Sequence, residues 1–172
     1  MKIPKQCKIE LAASQDPTRP VLAHPEFDSG ASALVATNGR IMAVIPVVLD
    51  EGDVAGPISA KALARSRKLS RKESATQILA SEQSLKLSDG SVLPRPKEGP
   101  FPQWRRVLPT SERGISICIN AHDLRALADA LGSERVVLHL DKADPERGVV
   151  RVTPADSKAV AGAYGAIVLN RP

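Results

Sequence analysis

Two apolar runs, ALVAT and RIMAVIPVVL, are divided only by Asn38-Gly39. Asn-Gly accepts the positive φ angles of a type I′ turn, so the pair reads as a tight hairpin and commits the first third of the chain to sheet. Asp89-Gly90 repeats the signal between SLKLS and SVLPR, after a further strand, TQILAS. Ahead of them, SAKALARSRKLSRK opens on Ser59 as an N-cap and holds no Gly or Pro, which predicts a helix over about 59–70 with Ala60, Leu63 and Ala64 on its inner side. In the last third, ISICIN alternates, Asn120 caps AHDLRALADAL with Leu124, Leu127, Ala128 and Leu131 on one face, and Gly132 ends that helix. VVLHLD, GVVRVT and AVAGAYGAIVLN follow as strands. At the N-terminus KIELA, residues 8–12, alternates and predicts a strand, and Pro17, Pro20 and Pro25 then allow a turn at DPTR and a short strand but no long helix. The order strand, helix, strand, strand, strand thus occurs around each helix, with a version lacking its helix at the N-terminus. Two or three copies of one β-α-β-β-β unit make an α+β repeat architecture.

Aromatic residues are 2% of the 172, so the core has to be built from Val, Leu, Ile and Ala. Cys7 and Cys118 lie apart, with no CxxC pair and no His/Cys cluster, which predicts two buried reduced thiols and no metal site. No apolar run reaches the length of a membrane span and MKIPKQCKIEL has no signal-like core, so the expected place is the cytoplasm, away from any membrane. His24, His122 and His139 have no nucleophile or carboxylate at motif spacing, and neither GxGxxG nor a Walker A loop is present. No catalytic residue and no cofactor is therefore assigned. Asp16, Asp28 and Asp144 stand in turn-like contexts, where a side-chain acceptor serves the backbone. The net charge of +5 permits a polyanionic partner without requiring one, so the placement of charge decides. Lys61, Arg65, Lys68 and Lys72 fall on one face of the first helix, whereas His122, Asp123, Arg125 and Asp129 leave the second nearly balanced.

FPQWRRVLP, residues 101–109, holds two of the four aromatic side chains and two adjacent arginines, but no nucleophile, acid or metal ligand. It reads as a surface on which something sits. Trp104 there can be a half-buried packing residue, and Arg105 and Arg106 ordinary surface ion pairs.

These stretches resemble the bacterial DNA polymerase III beta subunit, the replicative sliding clamp. TRPVLAHPEFD with LVATNGRIMAV is similar to that family's R-P-V-L segment and A-T-D-G-x-R-L-A hairpin, with Asn38 in place of Asp and Ile41-Met42 in place of Arg-Leu. FPQWRRVLP is similar to F-P-D-Y-R-R-V-L-P, and AYGAIVLNRP, less closely, to the family's ending. Family members have three domains of two units each, and this chain has room for about half of that. A block is missing between Pro109 and Gly114 relative to them. The expected layout is a clamp-like domain over 1–109, with a first unit lacking its helix and a second carrying it, and an additional unit over 110–172, the sheets outside and the helices facing a central hole.

The resemblance implies a protein that binds without catalysing: an oligomeric ring around double-stranded DNA, loaded by a separate ATPase and engaging polymerase or repair proteins through a short peptide motif. It places Lys61, Arg65, Lys68 and Lys72 on DNA, where a bare charged stripe would read as a solvated face. It places Thr37, Gly39, Met42, Pro102, Arg106 and Val107, with Ile167, Val168 and Leu169, at a hydrophobic peptide cleft. A ring surrounding a duplex takes roughly twelve such units, so about four copies close it if each supplies three units and about six if each supplies two; four is expected. The rival readings are a decoy that keeps the cleft but encircles nothing, and a plain basic DNA-binding module.

Overall fold

The computed structural model describes residues 1–70, 73–97, 99–107, 117–140, 148–156 and 162–169. The chain divides into two compact units, Met1–Leu108 and Pro109–Pro172.

The first unit runs through the same order twice. Its first half is β1 (Lys2–Pro4), two short 3-10 turns (Ile9–Ala12 and Pro20–Leu22), β2 (Glu26–Asp28), β3 (Ala33–Thr37) and β4 (Met42–Pro46). The second half is β5 (Gly56–Pro57), α1 (Ala60–Leu69), β6 (Ala75–Ala80), β7 (Ser84–Leu87) and β8 (Val92–Pro94). The halves exchange their leading strands. β1 pairs with β6, Ile3 opposite Thr76, and β5 pairs with β2, Phe27 opposite Gly56. Two antiparallel four-stranded sheets result, in the orders β1-β6-β7-β8 and β4-β3-β2-β5. Lys2 also exchanges backbone hydrogen bonds with Val48 just beyond β4, which ties the sheets together along that side.

Between the sheets lies one core, including Met1, Ile3, Phe27, Leu34, Ile58, Leu63, Ile78 and Leu85. α1 packs on β6 and β7, and the Ile9–Ala12 turn packs on β3 and β4 in the corresponding place. The strand expected over KIELA is therefore a 3-10 turn, the remnant position of a helix. Its burial explains the misreading. Ile9, Ala12 and Ala13 are buried while Leu11 is 70% exposed, a helical spacing that the apolar/polar alternation of the letters hides. The leading strand is Lys2–Pro4 instead.

α1 starts at Ser59, whose hydroxyl accepts from the Ala62 N–H at 3.4 Å, and it buries Ala62, Leu63 and Ser66. The inward face is thus centred one position away from the expected Ala60, Leu63 and Ala64, and the Ser66 hydroxyl reaches the Gln77 carbonyl of β6 at 3.3 Å. The Asn38-Gly39 hairpin forms, but not through a type I′ turn. Thr37 pairs with Met42, leaving a four-residue connection in which Gly39 takes φ +85 while Asn38 keeps a negative φ. The Asn38 carboxamide accepts from the N–H groups of Arg40 and Ile41, and the Thr37 hydroxyl accepts from Gly39 and donates to the Ile41 carbonyl. Side chains supply the turn bonds that a type I′ turn would make through the backbone alone. At Asp89-Gly90 the Leu87 N–H donates to the Ser91 carbonyl across a three-residue loop, and Gly90, at φ +80, donates to the Leu87 carbonyl.

The second unit has α2 (Ala121–Ala130) followed by β9 (Val136–His139), β10 (Val149–Pro154) and β11 (Gly165–Val168), an antiparallel sheet in the order β11-β10-β9. The Asn120 side chain accepts from His122 and Asp123, and Gly132 at φ +65 follows the helix end. Leu124, Leu127 and Leu131 pack over Val150, Val152 and Ile167. Gly165 permits the close approach, since a Cβ there would stand 2.6 Å from Leu127. Neither cysteine is fully buried as expected: Cys7 is half-buried and Cys118 exposed, both as free thiols. Among the described residues no helix is long and apolar enough to cross a membrane, and none of their His, Cys, Asp and Glu side chains cluster in a group able to hold a metal ion.

Candidate functional site

α1 turns Lys61, Arg65 and Lys68 to solvent along one side, opposite the buried Ala62, Leu63 and Ser66. Lys72, the fourth member of the expected stripe, lies outside the described residues. The remaining α1 arginine, Arg67, is half-buried and forms a bidentate pair with Glu10 of the first 3-10 turn, so it joins the two halves instead of facing outward. Arg65 is shared. Its guanidinium sits 3.0 Å from Asp89 in the β7–β8 turn. The Ser91 hydroxyl and N–H, with Arg65 behind them, hold the Asp89 carboxyl at about 2, so this counter-charge is permanent at neutral pH.

A second feature is a cleft of about 500 Å³ in the first unit, lined by Glu26, Phe27 and Asp28 of β2, by Ala55, and by the whole stretch Phe101–Arg106. Three of the protein's four aromatic residues meet there. Asp28 holds the cleft together. One carboxylate oxygen caps the 3-10 turn Ser29–Ala31 by accepting from the Ala31 N–H at 3.0 Å. The other accepts from the Trp104 indole N–H at 3.0 Å and pairs with Arg105 at 3.1 Å, while the Arg105 guanidinium lies over the Trp104 ring. Trp104–Arg106 forms a 3-10 turn, which swings Arg105 toward Asp28 and leaves Arg106 exposed on the rim. Burial raises the Glu26 carboxyl above its usual range, with nearby Arg95 opposing the shift. The cleft thus offers aromatic walls, an acidic floor and a basic rim, suited to an apolar side chain on a polar backbone.

Arg95 is the polar centre of the first unit and drew no notice in the sequence. It is 7% exposed, yet donates to the carbonyls of Pro57, Ser81 and Val54 at 3.0, 2.7 and 2.9 Å. Gly56, at φ +127, leaves room for its guanidinium. Nothing in PRPKEGP marks this role, because its acceptors lie 14 to 41 residues away.

Of the expected cleft residues, Pro102 and Arg106 line this cleft, and Val107 stands next to it at 68% exposure. Thr37, Gly39 and Met42 sit at the β3–β4 connection, outside that lining; Thr37 is buried and braces the turn, and Arg19 closes over Gly39. Ile167, Val168 and Leu169 belong to the second unit, where Ile167 is in the core, Leu169 packs against it and Val168 is exposed. Asp16 serves its turn as expected, accepting from the Thr18 N–H and hydroxyl, while Asp144 lies outside the described residues. The residues that build the cleft from β2, Glu26 and Asp28, were missed as site residues. Asp28 carries only a turn signal in sequence, and its partner Trp104 is 76 positions on, with Arg105 next to it.

No protein-family model matches the sequence, and neither does any curated protein. Solved structures do match in fold. The C. crescentus beta sliding clamp superposes with a TM-score of 0.70 at 20% identity, over 99% of this chain and 50% of that one. The Bartonella birtlesii DnaN sliding clamp, DNA polymerase III subunit beta, bound to griselimycin, gives 0.72 at 21% identity over 100% and 51%. The beta subunit from Thermotoga maritima gives 0.62 at 16% identity over 98% and 49%. The chain therefore has the α+β fold of the bacterial DNA polymerase III beta sliding clamp, in about half the length of the clamps it matches.

Proposed function

We propose that this protein is a compact sliding-clamp-like processivity factor, an oligomeric ring that holds double-stranded DNA without reading its sequence and presents a peptide cleft to a polymerase or repair protein. The supporting observation is the clamp fold along the whole chain with Lys61, Arg65 and Lys68 exposed on one face of α1. Long flexible cations on a helix face suit phosphates, which carry charge but no sequence information. Three halves per chain, two in the first unit and one in the second, give a tetramer as the ring of roughly twelve. Loading falls to a separate ATPase. The partner's apolar anchor would lie along Pro102 and Val107, with Arg106 pairing to its backbone or a carboxylate.

Retention on DNA tests this directly. The protein should remain on closed circular DNA and be lost from linear DNA through its ends. Alanine at Lys61, Arg65, Lys68 and Lys72 should reduce the salt slope by about 1 for each phosphate contact removed. Equal loss from circles and linear molecules would refute encirclement. Binding of a clamp-motif peptide without retention would establish the decoy reading in its place, and Val107→Ala should weaken that peptide by roughly 1 to 3 kcal/mol.

A further inference from the structure

The first unit shows what a half needs. Each half donates the strand ahead of its helix position to the other half, so the strand after the helix position always gains an outer neighbour: β1 beside β6, β5 beside β2. The second unit has one half. Its equivalent strand, β9, ends the sheet, and among the described residues nothing pairs with its outer edge. The backbone direction can be read from the register. Ala155 donates to the Arg135 carbonyl, and bonded pairs alternate, so Val137 and His139 bond to β10 while Val136 and Leu138 turn their N–H and C=O outward. The four edge strands of the first unit each carry a proline: Pro4 in β1, Pro46 in β4, Pro57 in β5 and Pro94 in β8. β9 reads VVLH, with no proline and no Lys, Arg, Asp or Glu to keep another strand away.

We propose that a second copy of this chain covers that edge. The lead-in to α2 of each copy pairs with β9 of the other, so that two second units complete one two-half domain of the kind the first unit forms within itself. The chemistry of the fit comes from β5. Gly56 and Pro57 stand three and two residues before the Ser59 cap, and Ile58 donates to the Pro25 carbonyl while Gly56 faces Phe27. Residues 117 and 118 stand at the same distances before the Asn120 cap. The matching register sets Ile117 against the second copy's Leu138 and Ile119 against the second copy's Val136, as bonded pairs with side chains turned to the helix side. The burial pattern agrees, with Ile117 and Ile119 half-buried and Cys118 exposed between them. Cys118 then faces the second copy's Val137, also exposed, in a non-bonded pair. The contact is reciprocal and two-fold, so it closes on itself. It rests on the strand exchange of the first unit and not on the DNA-binding reading.

The pairing is tested on the full chain by disulfide capture and sedimentation. In a non-bonded antiparallel pair the Cβ atoms are roughly 4.5 to 5.5 Å apart, within disulfide reach. Val137→Cys should therefore oxidise to a covalent dimer through Cys118, and adding Cys118→Ser should abolish it. Ile117→Pro removes an N–H that faces the second copy and should raise the dimer dissociation constant at least about tenfold. Residue-resolved amide exchange should show Val136 and Leu138 protected, increasingly so with concentration. A monomer at tens of micromolar overturns the proposal. So does an oligomer in which these two amides exchange at the unpaired rate, or one indifferent to Ile117→Pro.

Discussion

Both units place three antiparallel strands after a helix, yet they reach different degrees of completeness. In the first, two halves close over a shared core and fill each other's sheet edge. In the second, one half packs a single helix over a three-stranded sheet whose buried centre is Val150, Val152 and Ile167. A half of this kind can satisfy its own caps and turns, but it cannot cover both faces of its apolar layer or both edges of its sheet. Strand exchange is therefore the step that turns two marginal halves into one stable domain.

Core truncation should separate the units most clearly. Phe27→Ala removes the largest fully buried side chain of the first unit and should cost about 3 to 5 kcal/mol in urea unfolding followed at that unit. Val152→Ala in the second should cost about 2 kcal/mol. Equal loss of amide protection in both units on Phe27→Ala would break the comparison, by showing one cooperative body.

A smaller effect tests the buried polar centre of the first unit. Arg95→Met strands the carbonyls of Val54, Pro57 and Ser81 and should destabilise by about 3 kcal/mol. It also removes the charge that opposes the raised pKa of Glu26. A carboxyl whose folded pKa is raised favours the folded state below its unfolded pKa, and loses that contribution as pH rises through the folded value. The variant should thus be weakened more near neutral pH than near about pH 4. Denaturation at both pH values decides it.

The smallest effect belongs to the second unit. The Asp156 carboxylate is held far below its usual range, first by the Ser133 hydroxyl at 2.7 Å, then by the Arg135 side chain and N–H, with Glu134 adding a further N–H bond. A depressed carboxyl gives stability that is present above its unfolded pKa and lost as pH falls toward the folded value. Amide protection at Glu134 and Arg135 should decline below about pH 4, and Asp156→Asn should already lack it at neutral pH. Protection that ignores both acid and substitution would show that the entry to β9 is held by something else.

The elements were legible wherever their signals are local. Ser59, Asn120 and Gly132 mark helix ends through their own side chains or φ angles, and Asp89-Gly90 marks its turn for the same reason. Asn38-Gly39 marked the hairpin but not its turn type, because the choice between backbone and side-chain acceptors depended on Thr37. KIELA failed because alternation in letters is a weak proxy for burial, and a half without its helix still needs something on β3 and β4. At the cleft, FPQWRR stood out through composition alone, and it does line one wall. Its other wall, Glu26–Asp28, stayed silent.

By itself the sequence determined where the two hairpins turn, where the two α-helices lie and which of them carries the cations, since capping, turn geometry and amphipathic spacing act within a few residues. Only the tertiary structure decided that β1 joins β6 and β5 joins β2, that Arg95 is buried on three carbonyls, and that Asp28 gathers Trp104 and Arg105. Those choices bring together groups up to 77 residues apart, as Ile78 and Met1 are. Their strength comes from removing the groups jointly from water, a property of the packed arrangement that no short stretch of sequence contains.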